Sequence, residues 1–166
     1  MHTDNLNAVV EAVQPGTGLQ YLTYWLRDEV FAMDIRCVRE IIQYGAMTPV
    51  PLMAEFVRGV INLRGSVVPV IDLQSRFGRP AAAIGKKSCI IIFDASQDSE
   101  KLALGLLVDA VSEVVEIADA DIAPAPQFGA SIRRDFIRGM GKVGGEFIVI
   151  LAPERALDVE DMALGR

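Results

Sequence analysis

The 166-residue sequence contains one histidine, two cysteines and one tryptophan, and each scarcity removes a class of chemistry. The histidine is His2, beside the N-terminus, so a serine or cysteine nucleophile that needs an imidazole base has none. Cys37 and Cys89 stand far apart inside apolar patterns. That reads as two buried thiols in a reducing compartment rather than a disulfide or a metal site, and no cofactor is implied. Long hydrophobic runs are missing too. The longest, Leu102 to Val108 and Phe147 to Pro153, have the length of strands and cannot span a bilayer. No basic segment followed by an apolar core opens the chain, so a cytoplasmic protein without a signal peptide is expected. The net charge is −6 with no basic stripe among aromatics, which argues against nucleic acid as a partner.

Three segments imitate catalytic or binding motifs without completing them. Gly139 to Gly145 is glycine-rich but lacks the Lys-Ser/Thr ending of a phosphate loop. Asp94 to Glu100 resembles half a calcium loop without its central glycine or distal glutamate, and reads as a solvated hairpin turn. Asp119 and Asp121 lie in what reads as an exposed connection leading to Ala123-Pro124-Ala125-Pro126. No active site emerges.

What is present is an internal repeat. Phe56 to Ile71 aligns with Phe136 to Leu151 at an offset of 136 − 56 = 80, sharing Phe-x-Arg-Gly and the later glycine. Phe31 to Ile42 aligns with Leu104 to Val115 at 104 − 31 = 73. Two segments recurring in one order imply two copies of a β-rich unit. Residues 1–18 read as a tail. Strands are expected at Tyr21 to Leu26, Val30 to Ile35, Gly59 to Leu63 and Ser66 to Ile71, with a brief helical turn and an extended run within Val38 to Tyr44. Asp72 is a good N-cap for a short helix, Leu73 to Phe77, stopped at Gly78. Pro80 to Gly85 joins the copies. The second copy runs through Ser88 to Asp94, Lys101 to Val108, Val111 to Ile117, Gly139 to Val143 and Glu146 to Leu151, and a closing helix starts near Pro153.

The fold class expected is all-β, two five-stranded barrels from the repeat: about 19–80 and about 86–157, with a tail at 158–166. Ser88 to Phe93 and Gly145 to Leu151 do not alternate apolar with polar residues. A strand wet on one face alternates, so the barrels must cover each other.

Comparison of the copies separates what the fold needs from what it does not. Gly59 and Gly139, Gly65 and Gly145, Phe56 and Phe136, and Arg58 and Arg138 agree; these read as structural, the arginines as ion-paired or packed by their stems. Arg64 faces Gly144, Asn62 faces Lys142 and Pro69 faces Val149. Since one copy manages without it, Arg64 is free to serve recognition. Glu40 is repeated as Glu113, which favours a structural role that one copy could still turn to binding.

The stretches Val38-Arg39-Glu40-Ile41-Ile42, Phe56 to Gly65, Val67 to Leu73 and Val108 to Val114 resemble the CheW family, the coupling proteins of bacterial chemotaxis, over roughly residues 19 to 157. The resemblance implies two SH3-like barrels around a shared apolar interface. It further implies a non-catalytic adaptor linking the cytoplasmic tips of methyl-accepting chemoreceptors to the histidine kinase CheA. It is then recruited to membrane-associated receptor arrays without entering the membrane. By motif position, Val38, Glu40, Gly59, Val60, Asn62, Arg64, Val108 and Val111 would grip the receptor tip, and Tyr44, Met47 and Val50 would meet the kinase. Ala152-Pro153-Glu154-Arg155 departs from relatives with an acidic residue there, which leaves the start of the closing helix open. Two alternatives stand beside this reading: a CheW-like scaffold of a pilus-motility or other chemosensory-type pathway, and a small β-barrel ligand-binding protein or enzyme using an inter-lobe pocket.

Overall fold

Strands that are apolar on both faces need cover on both faces. A computed structural model of the protein, which describes residues 19–94, 102–125 and 136–153, shows where that cover comes from. Strands β1 (Leu19–Leu26) and β2 (Glu29–Asp34) form a hairpin, and a 3-10 turn at Ile35–Cys37 leads into β3 (Val38–Gln43). Strands β4 (Val57–Leu63) and β5 (Ser66–Asp72) form a second hairpin that runs into helix α1 (Leu73–Arg76). Then come β6 (Cys89–Asp94), β7 (Ala103–Val108), β8 (Ala110–Ile117), a 3-10 turn at Asp119–Asp121, β9 (Ile122–Ala123), β10 (Ile137–Val143) and β11 (Glu146–Leu151). The expected tails, the hairpin turn expected after Asp94 and the closing helix expected from near Pro153 fall on residues outside the described ones.

The all-β class holds. One sheet has the order β8-β1-β2-β11-β10-β9 and the other β3-β6-β7-β5-β4. Under the repeat, β1 to β5 correspond to β6, β7, β8, β10 and β11, so the two orders are one order written in equivalents. The registers agree as well: Ile150 faces Ala32 as Val70 faces Gly105, both in parallel pairs. Bulges recur between Val57 and Gly59 and between Ile137 and Gly139.

The partition differs from the expected consecutive barrels at 19–80 and 86–157. The β1–β2 hairpin belongs to the sheet built mainly from the second copy, and the β6–β7 hairpin to the sheet of the first. Patterning fixes which residues are buried, but equivalent hairpins fit either sheet, and a parallel pair such as β2 with β11 requires strands distant in sequence.

The core follows from this exchange. Leu22, Tyr24 and Leu26 of β1, and Cys89, Ile91 and Phe93 of β6, face a shared core between the sheets. The alternate residues face inward: Ile90 and Ile92 fill one barrel, while Tyr21, Ala32 and Ile150 fill the other. Tyr24, Phe31, Phe77 and Phe136 stack in sequence through the shared layer, with ring centres 6.0 to 6.3 Å apart. The Arg76 guanidinium of α1 lies over both repeat-related rings, 5.0 Å from Phe56 and 4.6 Å from Phe136.

Each barrel closes where the chain leaves one edge strand and crosses to the other. After β8 the chain turns into β9, which pairs with β10 through Met140 and Ala123. After β3 it reaches Thr48, whose backbone exchanges hydrogen bonds of 2.9 and 2.8 Å with Val60 of β4. The β9 crossing pairs two residues and counts as a strand, whereas Thr48 makes a single bridge, which is why one sheet has six strands and the other five.

Candidate partner-binding surface

The β4–β5 hairpin has a two-residue turn. Leu63 pairs with Ser66, leaving Arg64 and Gly65 at φ +50° and +87°, the positive pair that a tight hairpin turn requires. Its equivalent in the second copy is Gly144-Gly145, at φ +59° and +85°. The left-handed region suits glycine and strains any residue with a Cβ. The first copy nevertheless places an arginine there. Asn62 steadies the turn, its Oδ1 accepting from the Gly65 N–H at 2.9 Å.

From that turn both terminal nitrogens of Arg64 reach the carboxylate of Glu40, one at 3.2 Å and the other closer. Glu40 lies on β3 beside a bulge between Val38 and Glu40. Strands β3 and β4 are the two edges of the five-stranded sheet, so the ion pair spans the barrel seam. The Glu40 carboxylate raises the Arg64 pKa still further, so the guanidinium is charged at every physiological pH. Arg64 is 68% exposed and Glu40 22%, and exposed ion pairs add little to stability.

Glu113 has no such partner from its turn, because Gly144 stands where Arg64 would be. The bulge beside it is pinned by Thr23, whose hydroxyl donates to the Glu113 carbonyl at 2.7 Å and accepts from its N–H at 3.1 Å. Gly59 has a packing reason to recur. A Cβ there would lie 2.6 Å from the Thr48 carbonyl oxygen, and one at Gly139 would lie 2.8 Å from that of Ala123. Both glycines let the closing segment cross.

The eight residues carried over for receptor contact divide into two groups. Glu40, Gly59, Val60, Asn62 and Arg64 gather about the seam of the first barrel, with half-buried Val38 beside them packed on the shared core. Val108 and Val111 lie toward the other end of β6: Val38 pairs with Phe93 but Val108 with Cys89, four residues or about 13 Å along the strand. Val108 is fully buried. The Val111 N–H hydrogen-bonds the Cys89 thiol, which burial pushes up to about 12. Of the three kinase positions, Tyr44 and Met47 pack onto the first barrel's interior, and Val50 is 37% exposed.

Some exposed apolar positions escape a sequence reading. Val67 and Phe147, equivalent at 147 − 67 = 80, are 68% and 58% exposed. Their strands carry too little alternation to say which residue faces out. Leu52 is 78% exposed at φ +65°, its only signal being the prolines before it. Arg39, Leu63, Arg64, Val67 and Leu102 border a groove of about 340 Å³. Among the described residues, no three His, Cys, Asp or Glu side chains converge as metal ligands.

Mutually covering SH3-like barrels, carrying a strained arginine at one seam, define a paired-barrel scaffold domain. A family model for the CheW-like domain matches residues 20–161, and the chain belongs to that family. It is 31% identical over 147 residues to the chemotaxis protein CheW of Klebsiella aerogenes, covering 89% of this chain and 86% of that one. The chemotaxis protein CheW of Rhizobium meliloti is 33% identical over 144 residues, covering 87% and 90%. Protein FrzA of Myxococcus xanthus is 29% identical over 108 residues, covering 65% and 64%. Among solved structures, the scaffolding protein TtCheW of Thermoanaerobacter tengcongensis superposes with a TM-score of 0.78 at 32% identity, covering 89% of this chain and 93% of that one.

Proposed function

We propose that this chain, a chemotaxis adaptor by family, couples the cytoplasmic tips of methyl-accepting chemoreceptors to the histidine kinase CheA, without catalysis of its own. The observation that carries the reading is Arg64, held in a left-handed turn that its repeat partner fills with glycine and pinned to Glu40 across the seam. Such a residue serves something outside the fold. Helices of the receptor tip would gain apolar burial along the seam, while the Arg64–Glu40 pair fixes their register by charge. In this reading Val38, Val60 and Asn62 border the receptor contact, and Gly59 acts through the chain crossing that it permits. Val108 and Val111 act as supports from within. Tyr44, Met47 and Val50 form the kinase side, with Val50 as the exposed member. The protein works in the cytoplasm at receptor arrays, and no helix among the described residues is long and apolar enough to cross a membrane.

The test is reconstitution of purified chain, kinase and receptor fragments, with autophosphorylation as readout. Arg64→Ala is expected to leave the melting temperature nearly unchanged while reducing receptor-dependent activation severalfold. Unimpaired activation removes Arg64 from the site. The similarity to FrzA favours, as a second reading, service in another chemosensory-type pathway. Activation by that pathway's receptor and kinase, and not by chemotaxis partners, would select it.

A further inference from the structure

The exchange of hairpins leaves the two halves of the chain joined by four strand pairings and one connection. Residues 19–76 meet residues 89–153 through β1 with β8, β2 with β11, β3 with β6 and β5 with β7. None of these pairings requires both halves to belong to one chain. A second copy presents the same edges in the same register. Two chains could therefore exchange halves reciprocally without making any contact that the monomer lacks, which is the condition for domain swapping.

The connection, residues 77–88, is held back by a latch. Asp72, at the end of β5, has no solvent exposure. Its carboxylate caps α1 by accepting from the Gln74 N–H at 2.9 Å, and also accepts from the Ala82 N–H at 2.8 Å. Arg58 closes the arrangement, donating to Asp72 and to the Ala82 carbonyl at 3.2 Å each. A buried carboxylate with a paired guanidinium and backbone donors is costly to break open. Further along, Arg79 forms an ion pair at 2.9 Å with Glu29, at the start of β2 on the exchanged hairpin. The second copy has Ala152 where the repeat would place Asp72, so that position offers no carboxylate.

We propose that the halves are interchangeable between copies, so that a second copy of this chain is a partner for either half. The Arg58–Asp72–Ala82 latch sets the balance between closed monomer and exchanged dimer. This does not depend on the receptor and kinase reading, and its test involves neither.

Gln20 on β1 faces Glu116 on β8 across the exchanged edge. Full-length Gln20→Cys and full-length Glu116→Cys chains, one isotopically heavy, are unfolded together, refolded at high concentration and oxidised. Peptide mass mapping then reports a disulfide between those two positions on different chains, and light scattering reports the dimer. The expected result is that linkage in the jointly refolded sample, absent when the folded chains are merely mixed. Adding Asp72→Asn to both chains should raise the dimer fraction about tenfold, the effect of losing one buried charge-assisted hydrogen bond. Arg58→Met removes the other arm of the latch and is read in the same way should Asp72→Asn not refold. Chains that refold only as monomers overturn the proposal. So does linkage that forms equally among chains never unfolded, or a dimer fraction unmoved by both latch variants.

Discussion

Gly59 and Gly139 show how one residue can be required twice for a single reason. Each lies where the closing segment crosses an edge strand, and a Cβ would press on backbone at 2.6 Å from Thr48 or 2.8 Å from Ala123. Backbone yields less readily than the end of a side chain. Gly59→Ala and Gly139→Ala are therefore each expected to cost about 1–3 kcal/mol as overpacking. That corresponds to roughly 2–12 °C in melting temperature for a chain of this length, and calorimetry of the two variants checks it. Arg64 is the opposite case. Arg64→Gly makes the first turn like the second, relieves a left-handed arginine and is expected to hold or raise the melting temperature while activation falls. A clear drop in thermal stability would mean that Arg64 serves the fold after all. The mismatch that marks Arg64 was open to inspection in the sequence, because one copy controls for the other. Val67 and Phe147 were not, since strands buried on both faces carry no period of two to reveal which residues face out.

At the scale of elements, the exchanged β1–β2 hairpin is fastened at its end by Asp34. Burial alone would raise the Asp34 pKa, but hydrogen bonds from the Arg36 side chain and backbone, with the charges of Arg36 and Arg138, hold it below the ordinary 3.8. Arg36 donates at 2.6 to 3.2 Å, and Arg138 of β10 stands at 4.0 Å. A carboxylate with a depressed folded pKa contributes stability above its unfolded pKa and loses it as pH falls through the folded value. Asp34→Asn should accordingly lower the melting temperature at neutral pH. The gap to the unmodified chain should close as pH falls below the ordinary 3.8. A gap that stays constant as pH falls would remove the Asp34 charge from the account. The strands themselves were legible from apolar runs and turn residues, and Asp72 announced α1 as its N-cap. The helical turn came earlier than expected, at Ile35–Cys37, because Asp34 accepts from the Arg36 N–H and releases the chain at Val38. Strand β9 was hidden because only two residues pair there. No local propensity signals a crossing whose partner lies on another strand.

At the scale of the whole molecule, the repeat identified equivalent parts but could not say how they are shared. Two copies in tandem suggest two barrels in tandem. The offsets of 80 and 73 are equally satisfied when each copy lends a hairpin to the other, and that is the arrangement found. The consequence is a single cooperative unit. A fragment of residues 19–80 keeps β1 to β5 but loses β8 and β11, which flank the β1–β2 hairpin, and β6 and β7, which stand between β3 and β5. What remains is two hairpins and a lone strand, with Leu22, Tyr24, Phe31, Met33 and Ile71 stripped of the cover that buries them completely. An isolated hairpin is marginal in water, and exposed unpaired edges favour aggregation. The fragment is expected to be unfolded or aggregated, with no cooperative thermal transition, while the full chain unfolds in one step as seen by both far-ultraviolet circular dichroism and tryptophan fluorescence from Trp25. Two separate transitions in the full chain, or a soluble fragment that melts cooperatively, would show that each half carries its own stable core. The shared layer between the sheets would then be an interface between independent barrels, and the Arg76 contact with Phe56 and Phe136 would lose its place as a tie between the copies.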